Sequence, residues 1–243
     1  MDRIAVISDI HGNLPALDAV LADIRAKGID RIICLGDIIG KGPSMKETID
    51  LCINSCETVI KGNWEDYVST HPENKKYIWF RDEIGSRRME ILSKLPLKTE
   101  FYMSGKLVRL FHAHPKDLYK RVSPDNPIED KLELFNYCDH DSEMQYKRDA
   151  DIVGYGDIHI AYMENFKNKV LFNVGSVGNP LDMPLAAYAV LEGVYGSQVE
   201  SGFSVQFYRV PYNKELAISI ARSTNMPETE AYVMEVKTAV FSR

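Results

Sequence analysis

The chain has 243 residues, 45% hydrophobic and 26% charged, with a formal net charge of −6. That length buries a large core and is read as one domain over 1–243. The acidic balance argues against broad binding to a nucleic-acid backbone.

Arg3 to Ser8 opens as a strand, and its Ile4-Ala5-Val6-Ile7 run is apolar throughout, as expected for burial on both faces. Leu14, Leu17, Val20, Leu21 and Ile24 then repeat at helical spacing, with Asn13 and Pro15 marking the start and Lys27-Gly28 the end. Asp30 to Leu35 is a second buried strand, Ser44 to about Cys52 a helix, and Thr58-Val59-Ile60 a third strand. This rhythm predicts a parallel sheet with right-handed crossovers. Glu65 to Leu95 is helical in pattern and ends at Leu95-Pro96. Lys98 to Met103 and Lys106 to His112 read as a hairpin turning at Ser104-Gly105. Lys116 to Asp149 is polar and irregular, with a helix near Ile128 to Phe135, and reads as an insertion bordering the site. Strands resume at 151–154, 160–165, 170–173, 186–192 and 203–209, with antiparallel pairing among the later ones. A helical extension follows over 213–243, broken at Met226-Pro227.

Cys34, Cys52, Cys56 and Cys138 form no C-x-x-C pair, so free buried thiols in a reducing compartment are expected. The first apolar run is too short for a signal peptide, and no stretch approaches the roughly 20 apolar residues that span a bilayer. A soluble cytoplasmic protein with no membrane partner is the expectation; the sequence leaves its oligomeric state open.

Short polar clusters punctuate the strand ends: Asp9-Ile10-His11-Gly12-Asn13, Gly36-Asp37, Gly62-Asn63-Trp64-Glu65-Asp66, His112, and Gly156-Asp157-Ile158-His159. Alone, an Asp such as Asp9 is more often a turn residue or cap than a ligand. In an open α/β sheet, however, ligands bind beyond the carboxyl ends of the strands, which would bring these clusters together. Their donors are nitrogen and oxygen without thiolate, suited to Mn, Fe, Zn, Co or Ni. Two ions roughly 3.5–4 Å apart would clamp a phosphoryl group and activate water for in-line attack on phosphorus. Asp139-His140-Asp141 imitates such a cluster but is better explained as a charged loop.

These motifs resemble those of the calcineurin-like metallophosphoesterase superfamily from about Arg3 to Glu192. Asn173-Val174-Gly175-Ser176-Val177-Gly178-Asn179-Pro180 resembles one of its loops. The Gly62 to Asp66 segment and the tail are similar to a bacterial branch that includes an asymmetric dinucleoside-tetraphosphate hydrolase with phosphodiesterase activity. The resemblance implies a four-layer α/β/β/α sandwich of two mixed β-sheets flanked by helices. It implies one metal on Asp9, His11 and His159, a second on Asn63, His112 and residue 157, and Asp37 between them. It also implies substrate contacts at Asn63, Trp64, Gly175 and Ser176.

Three positions depart from the family pattern. Trp64 stands where a His normally contacts the scissile phosphate, and an indole cannot serve as an acid. Asp157 stands where a first His is usual; as a ligand it would add charge and favour Mn, Fe or Mg, whereas its other reading is a hydrogen-bond partner of a neighbouring His. Val174 and Leu181 replace a Pro and an Arg. His114 is the substitute acid candidate, ahead of His71 and Glu65.

The expected function is a dinuclear, Mn- or Fe-favouring phosphoesterase acting on phosphodiester or phosphoanhydride bonds of a small nucleotide-like substrate, a dinucleoside polyphosphate foremost. The competing expectation is a catalytically weak phosphate or nucleotide sensor on the same scaffold. A serine/threonine phosphoprotein phosphatase fits less well, because loss of the acid would hurt ester cleavage most.

Overall fold

The computed structural model describes residues 1–71, 75–138 and 144–243. The first apolar run forms β1 (Asp2–Ile7), followed by α1 (Leu14–Ala26), β2 (Arg31–Cys34), α2 (Met45–Ser55) and β3 (Thr58–Val59). Next come α3 (Asn63–Thr70), α4 (Lys75–Ile84), α5 (Ser86–Ser93), β4 (Lys98–Met103), β5 (Lys106–Phe111), α6 (Ile128–Glu133) and β6 (Ile152–Tyr155). The chain continues through β7 (Ala161–Phe166), β8 (Lys169–Val174), β9 (Ala186–Gly193), β10 (Ser204–Val210), α7 (Lys214–Ser223) and α8 (Thr229–Thr238).

Ten strands form two five-stranded mixed sheets, ordered β10-β9-β1-β2-β3 and β4-β5-β6-β8-β7. In the first, β1, β2 and β3 run parallel, and β9 lies antiparallel to β1 and β10. In the second, β5, β6 and β8 run parallel between the antiparallel edge strands β4 and β7. The period-two geometry of a strand explains the all-apolar runs. Ile4 and Val6 of β1 and Ile33 of β2 face the second sheet, meeting Val108, Leu110 and Phe172. Ala5 and Ile7 face the other way, onto Leu17, Val20 and Ile24 of α1. On the far side of the second sheet, Phe111, Val153, Tyr155 and Leu171 pack against Val122, Leu134 and Phe135 around α6. The result is the expected α/β/β/α sandwich.

The continuous helical pattern expected from Glu65 to Leu95 is divided into three helices. Gly85, at φ +78°, separates α4 from α5, because that backbone conformation cannot continue a right-handed helix. Between β5 and β6 the polar segment folds over the second sheet on the apolar cluster around α6 and on a buried ion pair. Arg109 of β5 is paired with Glu100 of β4 at 2.5 Å. It also donates to the carbonyls of Phe135, Asn136 and Arg148 at 2.9, 3.0 and 3.1 Å. All four cysteines are free thiols. Among the described residues no helix is long and apolar enough to cross a membrane.

Candidate metal centre

The parallel strands of both sheets end at one place. Asp9 follows β1, Asp37 follows β2, Asn63 follows β3, His112 follows β5, and Asp157 and His159 follow β6. The first two loops are laced together beyond the β1–β2 ladder by Asp9 N to Gly36 O (3.0 Å), His11 N to Asp37 O (2.9 Å) and Gly12 N to Ile38 O (2.8 Å). A third loop joins them through Val177 N to Ser8 O and Gly178 N to Asp9 O, both 3.0 Å.

Five candidate ligands sit in left-handed backbone: Asp9 (φ +55°), His11 (+48°), Asp37 (+50°), Asp157 (+65°) and His159 (+62°). Non-glycine residues hold this conformation only where surrounding contacts enforce it. The neighbouring loops approach closely. A Cβ on Gly62 would stand 2.2 Å from Asp37 Oδ1, and one on Gly156 would stand 2.6 Å from Asp9 Oδ2.

Two groups of buried donors result: Asp9, His11 and His159, and Asp9, Asp37 and His112. Each carboxylate has one oxygen tethered by a backbone amide. Asp9 Oδ2 accepts from Asp157 N at 3.0 Å, and Asp37 Oδ1 from Trp64 N at 2.9 Å. Asp9 is common to both groups, and Asp37 lies 3.6 Å from His11 Nε2 and 3.4 Å from His112 Nε2.

The histidines carry the strongest evidence for cations. In each, Nδ1 faces a backbone carbonyl: Ile39 O at 2.9 Å for His11, Asn179 O at 2.5 Å for His159, and Leu35 O at 2.8 Å for His112. A carbonyl only accepts, so Nδ1 carries a proton in each ring, and in the neutral tautomer Nε2 turns a bare lone pair inward. The Nε2 atoms of His11 and His159 then meet at 3.1 Å. Two lone pairs cannot bond to each other; a cation between them removes the conflict. Asp9 Oδ1 and His112 Nε2 are buried without a hydrogen-bond partner, a costly state for polar atoms. Carbonyl-anchored imidazoles with orphaned Nε2 atoms are the arrangement metal-ligating histidines show. The donor set fits divalent cations.

Burial and neighbouring charges act on these groups in different directions. Burial pushes Asp9 up, but His159 beside it brings its carboxyl down to about 2. Burial holds His11 well below the ordinary imidazole range. Burial also disfavours the charged form of His112, but the Asp37 carboxylate outweighs it and raises this imidazole well above that range.

Asn63 and Asp157 complete the floor. Asn63 Nδ2 donates to Asp157 Oδ1 at 3.0 Å, and that oxygen lies 4.0 Å from His112 Nε2. Asp157 is also gripped by Arg121, from Nε to Oδ2 at 3.0 Å and from Nη2 to Oδ1 at 3.2 Å. Trp64 lies edge-on to His11, with ring centroids 6.1 Å apart. Gly175 and Ser176 stand behind the Asp9 loop. The Ser176 hydroxyl donates to Asp9 O at 2.6 Å and accepts from Asn179 N at 2.8 Å, and the Gly175 amide donates to Asn173 Oδ1. His114 is turned toward the polar segment: Nδ1 accepts from Lys116 N at 3.2 Å and Nε2 lies 3.8 Å from Glu133. Burial, reinforced by Lys120, holds its imidazole down to about 4. Exposed His71 sits on Thr70. The Asp139 to Asp141 triplet lies outside the described residues.

Sequence reasoning missed three contributors. Arg121 gave no signal, because an Arg in a polar loop reads as solvated. Lys41 and Asn179, joined at 2.9 Å, sit behind His159, and burial lowers the Lys41 amine to about 8. Glu65, read as a fallback acid, instead accepts from the amides of Gly62, Asp37, Ile38 and Ile39 at 2.8–3.2 Å. Its place at the third position of α3 is a capping signature that would have pointed there.

A two-sheet sandwich that gathers Asp and His donors at its strand ends is a metal-binding α/β protein. The chain belongs to the calcineurin-like phosphoesterase superfamily, whose domain matches residues 2–194. It is 32% identical over 253 residues to the uncharacterized protein MJ0912 of Methanocaldococcus jannaschii, covering 93% of this chain and 94% of that protein. Its fold is similar to that of a metallophosphoesterase from Sphaerobacter thermophilus, with a TM-score of 0.77, 23% identity, and coverage of 98% and 100% of the two chains. It is also similar to that of the hypothetical protein PH1004 from Pyrococcus horikoshii OT3, with a TM-score of 0.74, 18% identity, and coverage of 97% and 98%.

Proposed function

We propose that this chain is a dinuclear metal-dependent phosphoesterase that hydrolyses phosphodiester or phosphoanhydride bonds of a small nucleotide-like substrate, a dinucleoside polyphosphate foremost. The observation that carries this reading is the pair of inward-facing Nε2 atoms on His11 and His159, beside the orphaned atoms of Asp9 and His112. Asp9, His11 and His159 would hold one cation, His112, Asp157 and Asn63 a second, and Asp37 stands between them. Mn or Fe suits this mixed nitrogen–oxygen set best, with Zn, Co, Ni or Mg as further fits. Bound there, the cations supply Lewis acidity to phosphoryl oxygens and lower the pKa of water.

The protein's own groups set the substrate class. Trp64 occupies the position next to Asn63 and has no proton to give as an acid. His114 is engaged with Lys116 N and faces Glu133, so no proton donor is assigned. A phosphate leaving group, with a second pKa of about 6, departs without one; an alkoxide does not. Arg121 on Asp157 and the negative carboxylate cluster together leave an anionic substrate to be drawn by the cations rather than by the chain's net charge. The soluble, cytoplasmic setting expected from the sequence suits such a substrate.

The test is a rate comparison on Mn-loaded protein. Hydrolysis of a dinucleoside polyphosphate is expected to exceed that of an alkyl monophosphate by about 100-fold or more, and chelation is expected to abolish it. Equal rates on the two substrates would overturn the assignment. A second reading, a catalytically weak nucleotide sensor, draws on the Arg121 grip that occupies Asp157. Absence of turnover after loading with Mn or Fe would favour it.

A further inference from the structure

Beside the metal centre lies an open cleft of about 400 Å³, within the roughly 300–1,000 Å³ range of small-molecule sites. Its walls are aromatic: Trp64 and Tyr67 of α3, Tyr77 of α4, and Tyr119 from the loop after β5. Arg121 and Asp157 close it toward the metal centre. The rings form a connected array. Tyr67 and Tyr77 are stacked, with centroids 5.7 Å apart and planes at 20°. Tyr67 and Tyr119 lie at 4.7 Å, and Trp64 and Tyr77 at 5.9 Å edge to face.

Trp64 and Tyr77 also pack against the first sheet's core, but the array stays open on its outer side. Tyr67 and Tyr77 are only half-buried, and Tyr119 is 41% exposed. Tyr119 is drawn across to α3 by a short hydrogen bond from its hydroxyl to the Asp66 carboxylate. Aromatic surface gathered from three chain segments and left open to solvent marks a binding surface. Flat π-faces with a guanidinium at one end fit a molecule carrying a planar ring and an anionic group. An adjacent phosphoryl-binding centre makes a nucleoside phosphate that molecule.

We infer that the Trp64–Tyr67–Tyr77–Tyr119 cleft is the nucleobase subsite, with Arg121 holding the phosphate attached to that nucleoside. This rests on the nucleotide reading above and deepens it by naming residues that recognise the base. The subsite accepts a base by stacking and so tolerates different bases, since every base has a π-face. Asp9, His11, Asp37, His112 and His159 would hold the cations that bind the scissile phosphoryl group, and the cleft would orient the departing or retained nucleotide beside it.

Binding without turnover tests this separately from hydrolysis. Dissociation constants for adenosine 5′-monophosphate and ribose 5-phosphate are measured by calorimetry on chelator-treated protein. The nucleotide is expected to bind about tenfold or more tightly than the base-free sugar phosphate, in keeping with base–aromatic stacking. Tyr67→Leu is expected to erase most of that ratio and Tyr67→Phe to preserve it. Arg121→Met is expected to weaken both ligands by a similar factor and leave the ratio standing. Equal affinities in the unmodified protein, or a ratio that survives Tyr67→Leu, would overturn the subsite. Either result would leave the hydrolysis reading intact, because no step here depends on catalysis.

Discussion

Glu65 shows how a single side chain can set a metal centre without touching a cation. Its two oxygens accept four backbone amides, from Gly62, Asp37, Ile38 and Ile39, and so shape the loop that presents Asp37 and the Ile39 carbonyl behind His11. Burial, then repulsion from Asp37, pushes the carboxyl up to about 7, against the pull of those donors. Glu65→Gln supplies one acceptor oxygen and turns an NH₂ toward two amides. Leaving two buried donors unsatisfied is expected to cost about 2–5 kcal/mol in urea unfolding, together with weaker metal binding. A loss below about 1 kcal/mol would show that the loop is held by other contacts. The candidate ligands are legible because Asp9, His11, Asp37, Asp157 and His159 sit in short motifs at strand ends. Glu65 is legible only as a cap of α3, because three of its four partners lie 26–28 positions away in sequence and acquire meaning only once β2 and α3 are adjacent.

At the scale of elements, period-two and helical patterns located most strands and helices, and the strand-end rule anticipates the gathering of Asp9, Asp37, His112 and His159. The pattern from Glu65 to Leu95 was over-read as continuous because apolar spacing persists through Gly85, whose backbone breaks it. The polar segment after β5 resisted folding from pattern because its apolar contacts are joined by a buried polar anchor. It is held by Arg109, fully buried and paired with Glu100, whose second oxygen accepts from Gln145 N and Tyr146 N. Removing one member of a buried ion pair strands its partner. Arg109→Met is therefore expected to lower stability by about 3–5 kcal/mol. Hydrogen exchange is expected to rise first in residues 128–138, which border the lost bonds. Adding Glu100→Gln is expected to return part of the loss; an additive double variant would contradict the pairing.

Across the whole molecule, the two sheets and the C-terminal helices converge on the same donors. The family domain matches residues 2–194, yet the helices beyond it reach the centre. Glu235 of α8 accepts from Asn179 Nδ2 at 3.0 Å, and the Asn179 carbonyl fixes the His159 ring. Arg243 closes this chain of contacts by donating to Glu235 at 3.1 Å. Neither link could be read from the sequence, since a Glu on a terminal helix carries no local sign of a distant loop.

All of this depends on the inward Nε2 atoms being cation ligands. Anomalous diffraction from a Mn-soaked crystal measures that directly. The expected map has two peaks, one bounded by Asp9, His11 and His159 and the other by His112 and Asp157, with Asp37 touching both. No anomalous density among these residues, with the His11 and His159 rings still facing each other, would contradict the account.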